Sequence, residues 1–240
     1  MKKTNKAIAL CSPLMPEEIR REIEAISGSQ SATIPPCDSL DAPVCHHPDM
    51  LFFNHKNERI TILSEGYYSV NHRFFHQFPN ASLCLDSVPL APKYPHDIPF
   101  DAIGIGERLY CLETYTSKEI KRRFKKIINV KQGYAACSTL ILNERAAITA
   151  DGGIARALMA DGVNTLLISP NGISLPGYDN GFIGGATAVI NETVFFFGSL
   201  YHHPSGELIR RFCLENDFSI VDFPHLPLTD YGSVRYLYSK

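Results

Sequence analysis

GYAACSTLILNERAAITADGGIARALMADGVNTLLI, Gly133 to Ile168, reads as two short strands, a helix and a third strand. Thr139 to Leu142 and Ala146 to Thr149 are β-compatible runs on either side of Asn143-Glu144-Arg145, a turn-forming group, and so predict a hairpin. Asp151 then stands at a helix N-cap position. Ile154, Ala157 and Leu158 supply one apolar stripe, and Gly162 follows as a C-terminal stop. Val163 to Ile168 is rich in apolar and β-branched residues, the composition of a buried strand.

The unit recurs. Phe182 to Phe223 predicts a hairpin turning at Asn191-Glu192-Thr193, a helix near Glu207 to Glu215 and a strand at Ser219 to Phe223, and its Asn191-Glu192 matches Asn143-Glu144. Two weaker copies lie upstream. HHPDMLFFNHKNERITIL turns near Asn54, with a helix before Phe78 and a strand at Ala81 to Asp86. DAIGIGERLYCLE turns at Gly106-Glu107-Arg108, followed by the helix SKEIKRRFKKI and a strand at Ile127 to Val130.

A further copy at the N-terminus is incomplete: Lys6 to Leu10 is a strand, Pro16 to Ile26 a helix and Ser31 to Pro35 a strand, with no first hairpin strand. The C-terminal segment GSVRYLYSK is a strand with no helix after it. Pairing Val234 to Tyr238 with Lys6 to Leu10 completes the first module. The expectation is an α/β ring of five strand-strand-helix-strand modules, one domain over residues 1–240.

Composition narrows the function classes. A net charge of −2 excludes a broad nucleic-acid footprint, and the basic run Lys118 to Lys131 reads as a solvated helix face. The apolar stretch after Met1-Lys2-Lys3 is too short for a signal peptide and no stretch approaches a membrane span, so neither a membrane nor a nucleic-acid partner is expected. Seven cysteines without CxxC pairs fit a reduced, cytoplasmic protein. There is no dinucleotide-type GxGxxG context, Walker loop or GxSxG elbow; His202 and His203 lack a second ligand set, so neither cofactor nor metal is expected.

A ring of five such modules resembles the pentein fold of the guanidino-group-modifying enzymes, which include arginine and agmatine deiminases, dimethylarginine hydrolases and amidinotransferases. Two segments carry the resemblance in motif. His47 and Asp49 in HHPDM match the family's His-x-Asp at the head of an inner strand. Cys137 and Thr139 in AACST match its G-x-H-C-x-T, with Ala136 where His is usual and with the cysteine in the fourth module instead of the last. Aligned on the turns, Pro48, Phe100, Cys137, Gly185 and Gly232 occupy corresponding strand heads, with His47, Asp49, Asp101 and Asp230 beside them. The stretch Gly177 to Gly185, GYDNGFIGG, including Gly184 and Gly185, is a candidate substrate loop at the mouth.

The resemblance implies a hydrolase or amidinotransferase acting on a small guanidino compound. Asp49 with either Asp101 or Asp230 would grip the planar cation through bidentate hydrogen bonds. Cys137 would attack the central carbon and His47 would protonate the leaving amine, then activate water for a thiouronium intermediate. Each residue also has a plainer reading: Cys137 as a packed thiol, His47 as a loop histidine, Asp49 as a turn residue and Asp151 as an N-cap. The alternative function is a catalytically silent scaffold that binds a partner, as the ribosome anti-association factor of this fold does. Substrate and oligomeric state stay open.

Overall fold

The structure, a computed structural model, describes residues 7–240. In the first module β1 (Ala7–Cys11), α1 (Glu17–Ser27) and β2 (Ser31–Thr33) follow in order. The second has a single turn α2 (Pro48–Leu51), then β3 (Phe52–His55), β4 (Ile60–Ser64), α3 (Glu65–Val70), α4 (His72–Phe75) and β5 (Leu83–Asp86). The third has β6 (Ile103–Ile105), β7 (Arg108–Cys111), α5 (Lys118–Lys121) and β8 (Lys126–Asn129). The fourth has β9 (Thr139–Asn143), β10 (Ala146–Thr149), α6 (Gly152–Ala160) and β11 (Asn164–Leu167). The fifth has β12 (Thr187–Ile190), β13 (Thr193–Phe196), α7 (Gly206–Glu215) and β14 (Ser219–Val221), and the chain ends on β15 (Arg235–Tyr238).

Each module is a three-stranded sheet whose central strand runs antiparallel to the first strand and parallel to the third. The sheet of the first module is closed by the two ends of the chain: β15 pairs antiparallel with β1, Ala7 opposite Tyr238 and Leu10 opposite Arg235. This is the expected closure; the Lys6 end of the predicted strand lies outside the described residues.

The ring is held by side chains that alternate along the central strands. Because successive residues of a strand point to opposite faces, each central strand serves two neighbours. In β4, Ile62 packs with Leu109 and Phe100 of the third module, whereas Leu63 packs with Leu10 of the first. In β7, Leu109 turns back to the second module and Tyr110 faces Ala147 of the fourth. Ile148 of β10 packs with Val194 and Phe196 of β13, while Phe195 meets Ala9 and Cys11 of β1. The apolar clusters therefore lie between modules, and following them round the ring returns to the start. Burial on both faces explains why β10 is buried at every position.

Three expectations are corrected. The helix predicted over SKEIKRRFKKI is one turn, Lys118–Lys121, capped by the Ser117 side chain. Beyond it Lys125 and Lys126 donate to the Glu107 carbonyl, and Lys126 enters the β7–β8 ladder opposite Arg108. Strand pairing thus takes residues whose local pattern favours helix, and like charges three and four apart weaken that helix further. Asn54 does not make the turn of the second hairpin, which falls at residues 56–59. Its side chain mimics a backbone group instead, accepting from Tyr236 N (2.8 Å) and donating to Tyr236 O (2.7 Å), which ties β3 to β15. The strand expected from Ala81 begins at Leu83, because Ala81 bridges to Ser239 outside the sheet. No helix of the described residues is long and apolar enough to cross a membrane.

Candidate active site

The segments that precede the first strands meet at one place. Asp49 N donates to Gly232 O at 3.0 Å, and Gly185 N donates to Cys137 O at 3.2 Å. Asp101 Oδ1 accepts from Ala136 N (2.5 Å) and Cys137 N (3.3 Å). Residues as far apart in sequence as 47 and 232 thereby share one cluster.

Cys137 sits on a tight turn in which Ser138 N donates to Tyr134 O (2.9 Å) and Thr139 N to Ala136 O (3.1 Å). Asp101 caps this turn, and its second oxygen lies 2.7 Å from Cys137 Sγ. On another side Asp49 Oδ2 is 3.1 Å from the same sulfur, and Met50 Sδ is 3.8 Å away. A thiol has one proton and can donate to only one carboxylate at a time. Both carboxylates are fully buried, and Asp49 Oδ1 has no hydrogen-bond partner.

His47 and Asp230 complete the cluster. His47 Nδ1 lies 3.6 Å from Asp230 Oδ1. Asp230 is fixed by backbone donors, Phe182 N at 2.9 Å and Gly232 N at 3.0 Å. Two glycines make the packing possible. A Cβ on Gly185 would lie 2.0 Å from Asp230 Oδ1, and one on Gly232, whose φ is +75°, would lie 2.4 Å from His47 Cβ.

A recess of about 120 Å³ opens on this cluster, lined by His47, Cys137 and Asp230 with Met50, Tyr134 and Phe182 and flanked by Val44, Leu175, Tyr178 and Asn180. The Tyr134 and Phe182 rings are 5.8 Å apart. The structure thus brings His47, Cys137 and Asp230 together on one surface. Asp49 and Asp101, expected on that surface, instead lie behind the sulfur, because their oxygens are turned to Sγ and to the backbone of the Cys137 turn. Thr139 and Gly184 line a separate channel bounded by the first strands of the modules. They are not at the recess: Thr139 is paired with Thr149, and Gly184 is pressed against the carbonyls of Ala136 and Cys137. Gly185 is packed against the Asp230 carboxylate. Tyr134 lies outside the residues the sequence singles out, although the repeat carries a signal for it, since GYAACST and GFIGGAT place Tyr134 and Phe182 in register. Tyr178, Asn180 and Phe182 fall within the glycine-rich stretch expected at the mouth.

Burial dominates the electrostatics. It raises Asp101 to about 8, with the neighbouring Asp49 charge adding to the shift. It raises Asp49 as well, against the lowering influence of His47 and Arg235. Asp230 is raised to about 6 although two backbone N–H groups stabilise its anion. The Cys137 thiol is pushed well up, first by burial and then by Asp101, Asp49 and Asp230. Burial holds His47 down at about 4, so its ring is neutral at pH 7 and its contact with Asp230 is that of a neutral imidazole. Burial thus opposes simultaneous ionisation of these carboxyl groups, and a nearby positive charge would favour it.

The model of the Family of unknown function (DUF6873) matches residues 10–235. No curated protein matches the sequence. Among solved structures, an agmatine deiminase of C. jejuni superposes with a TM-score of 0.56 at 12% identity, covering 98% of this chain and 93% of its own. A dimethylarginine dimethylaminohydrolase (DDAH) from Pseudomonas aeruginosa, a cysteine-to-serine mutant complexed with citrulline, gives 0.55 at 11% identity, covering 91% of each chain. A further dimethylarginine dimethylaminohydrolase, an adduct with S-methyl-L-thiocitrulline, gives 0.55 at 10% identity, covering 91% of this chain and 92% of its own. The architecture is the pentein-like α/β propeller.

Proposed function

The chain belongs to the Family of unknown function (DUF6873), and we propose that it is a pentein-type hydrolase or amidinotransferase acting on a small guanidino compound through a covalent intermediate on Cys137. One observation carries the reading: a buried thiol is hemmed by Asp101 and Asp49, with Asp230 and His47 on the same recess. Burying several carboxyl groups around one thiol is costly as a packing solution. It suits a site whose occupant is a cation. A guanidinium offers a planar fork of N–H donors, and its charge removes the reason for the carboxyl groups and the thiol to hold their protons.

Binding and activation are then one event. With the cation in place Cys137 Sγ ionises, its proton passes to neutral His47, and the thiolate forms a C–S bond to the guanidinium carbon. The tetrahedral adduct collapses as His47 returns the proton to the departing amine, which leaves an S-linked thiouronium. Water that gives one proton to His47 attacks this carbon, and collapse of the adduct expels the Cys137 sulfur, which takes up the remaining hydroxyl proton as the thiol, with a ureido product; an amine in place of water gives amidino transfer.

Incubation with a panel of guanidino compounds, scored for ureido product and released amine, tests the reading. Turnover that disappears in Cys137→Ser is the expected result. Turnover that survives this substitution removes Cys137 as nucleophile, and tight guanidine binding with no turnover by the wild-type protein leaves a binding scaffold.

A further inference from the structure

Within the guanidino reading, on which this inference rests, the recess also restricts the rest of the ligand. A guanidinium bound beside Cys137 must leave its substituent among the Tyr134, Tyr178 and Phe182 rings and the side chains of Val44 and Leu175. Among the described residues no lysine or arginine lines this recess. Arg235, the cation that acts on Asp49 and Asp101, lines the separate channel of the first strands. A carboxylate on the substituent would thus meet no positive partner here.

The tyrosines make the wall more adverse to an anion. Tyr134 Oη donates to Asp97 Oδ2 at 2.6 Å, and Tyr178 Oη donates to Asp41 Oδ2 at 2.9 Å. Both hydroxyl protons are committed to carboxylates and cannot be turned toward a ligand carboxylate without breaking these bonds. Asp97 is buried, and its second oxygen, Oδ1, has no hydrogen-bond partner. Acidic groups therefore stand behind two of the aromatic walls. Aromatic faces favour alkyl chains and cations over anions, and a carboxylate brought into this recess without a cationic partner is penalised. The volume, about 120 Å³, is well under the roughly 300–1,000 Å³ of ordinary small-molecule sites. It suits a compact ligand.

We propose that the natural ligand is a compact guanidine whose substituent carries no carboxylate, an alkyl- or aminoalkylguanidine and not a guanidino acid or arginine-like amino acid. Tyr134 and Tyr178, each held by an aspartate, are the specificity-determining side chains.

Wild-type protein is treated with 2-chloroacetamidine, and the rate of Cys137 alkylation is read by mass spectrometry in the presence of butylguanidine, 4-guanidinobutyrate or arginine. Butylguanidine should halve the rate at a concentration at least tenfold below that needed of either carboxylate-bearing competitor. Equal or better protection by 4-guanidinobutyrate or arginine overturns the inference and leaves the guanidino reading standing. Protection by none of them, or no alkylation of Cys137, overturns both.

Discussion

Two strand heads in neighbouring modules have nearly the same backbone and different side chains at the cluster. GYAACST, residues 133–139, and GFIGGAT, residues 181–187, align without a gap. In both a glycine precedes an aromatic, and the N–H four residues after the aromatic closes the turn on its carbonyl: Ser138 N on Tyr134 O, Ala186 N on Phe182 O. An aspartate from elsewhere caps each turn, Asp101 on the first and Asp230 on the second. The heads differ at the position facing the site. Cys137 projects a sulfur toward Asp101, whereas Gly185 projects nothing and the space is filled by the Asp230 carboxylate. One turn geometry therefore presents a thiol to the cluster in one module and a seat for a carboxylate in the next, and the choice rests on a single side chain.

The widest gap between the heads should appear in the chemistry. Cys137→Ser is expected to lower turnover of a competent guanidino substrate by roughly 10³-fold or more while the far-ultraviolet circular dichroism stays native. A variant at Gly185 that folds should keep the nucleophile and with it the covalent step. Trapping an intermediate on any cysteine other than Cys137 would break the comparison.

Stability should reverse the order. Gly185→Ala drives a methyl into Asp230 and is expected to cost about 3 kcal/mol by overpacking beside a buried carboxylate. Cys137→Ala keeps the Cβ and removes a thiol held among carboxyl groups, so its cost should stay within about 1 kcal/mol. Urea unfolding of the two variants checks this, and equal costs would mean that the heads are not differently packed.

A finer distinction lies in pH. Asp101, at about 8 in the folded chain against a usual 3.8, holds a proton that the unfolded chain has lost. Its contribution to stability is present below the usual carboxylate range and is lost as pH rises toward 8. His47, held at about 4 against a usual 6.5, acts in the opposite sense between those values, and Asp230, half-ionised at about 6, contributes little toward pH 8. Between pH 6.5 and 8 the ligand-free protein should therefore lose stability as pH rises, by on the order of 1 kcal/mol per pH unit. Asp101→Asn should lessen this slope, the remainder coming from Asp49, which burial also raises, and Asp230→Asn should leave it in place. Thermal midpoints measured across the window decide between the two carboxyl groups.

The same comparison explains what the sequence made legible. Turn residues and strand alternation are local, so Asn143-Glu144 and Asn191-Glu192 mark the repeat, and the unpaired strands at the two chain ends imply the closure seen between β1 and β15. Where long-range pairing competes with a local pattern, the local reading fails. Lys126 is drawn into the β8 ladder out of a predicted helix, and Asn54 brackets Tyr236 where a turn is expected. At the site, alignment identifies which residues stand at strand heads but not which way they face. Asp49, Asp101 and Asp230 therefore look equivalent in sequence, although two of them lie behind the sulfur and one lines the recess. The tyrosine–aspartate pairs escape notice because Asp41 and Asp97 belong to connecting segments with no counterpart in the repeat.

The central claim, that the carboxyl-lined thiol at residue 137 is a cation-activated nucleophile, is tested most directly by comparing two alkylating reagents on the native protein. At neutral pH 2-chloroacetamidine, which carries the planar cation, should modify Cys137 ahead of the other six cysteines, whereas neutral iodoacetamide should leave Cys137 among the slowest, because burial and the adjacent carboxyl groups keep its thiol protonated. Reaction of Cys137 with iodoacetamide at least as fast as with 2-chloroacetamidine, or with neither reagent, would contradict the account.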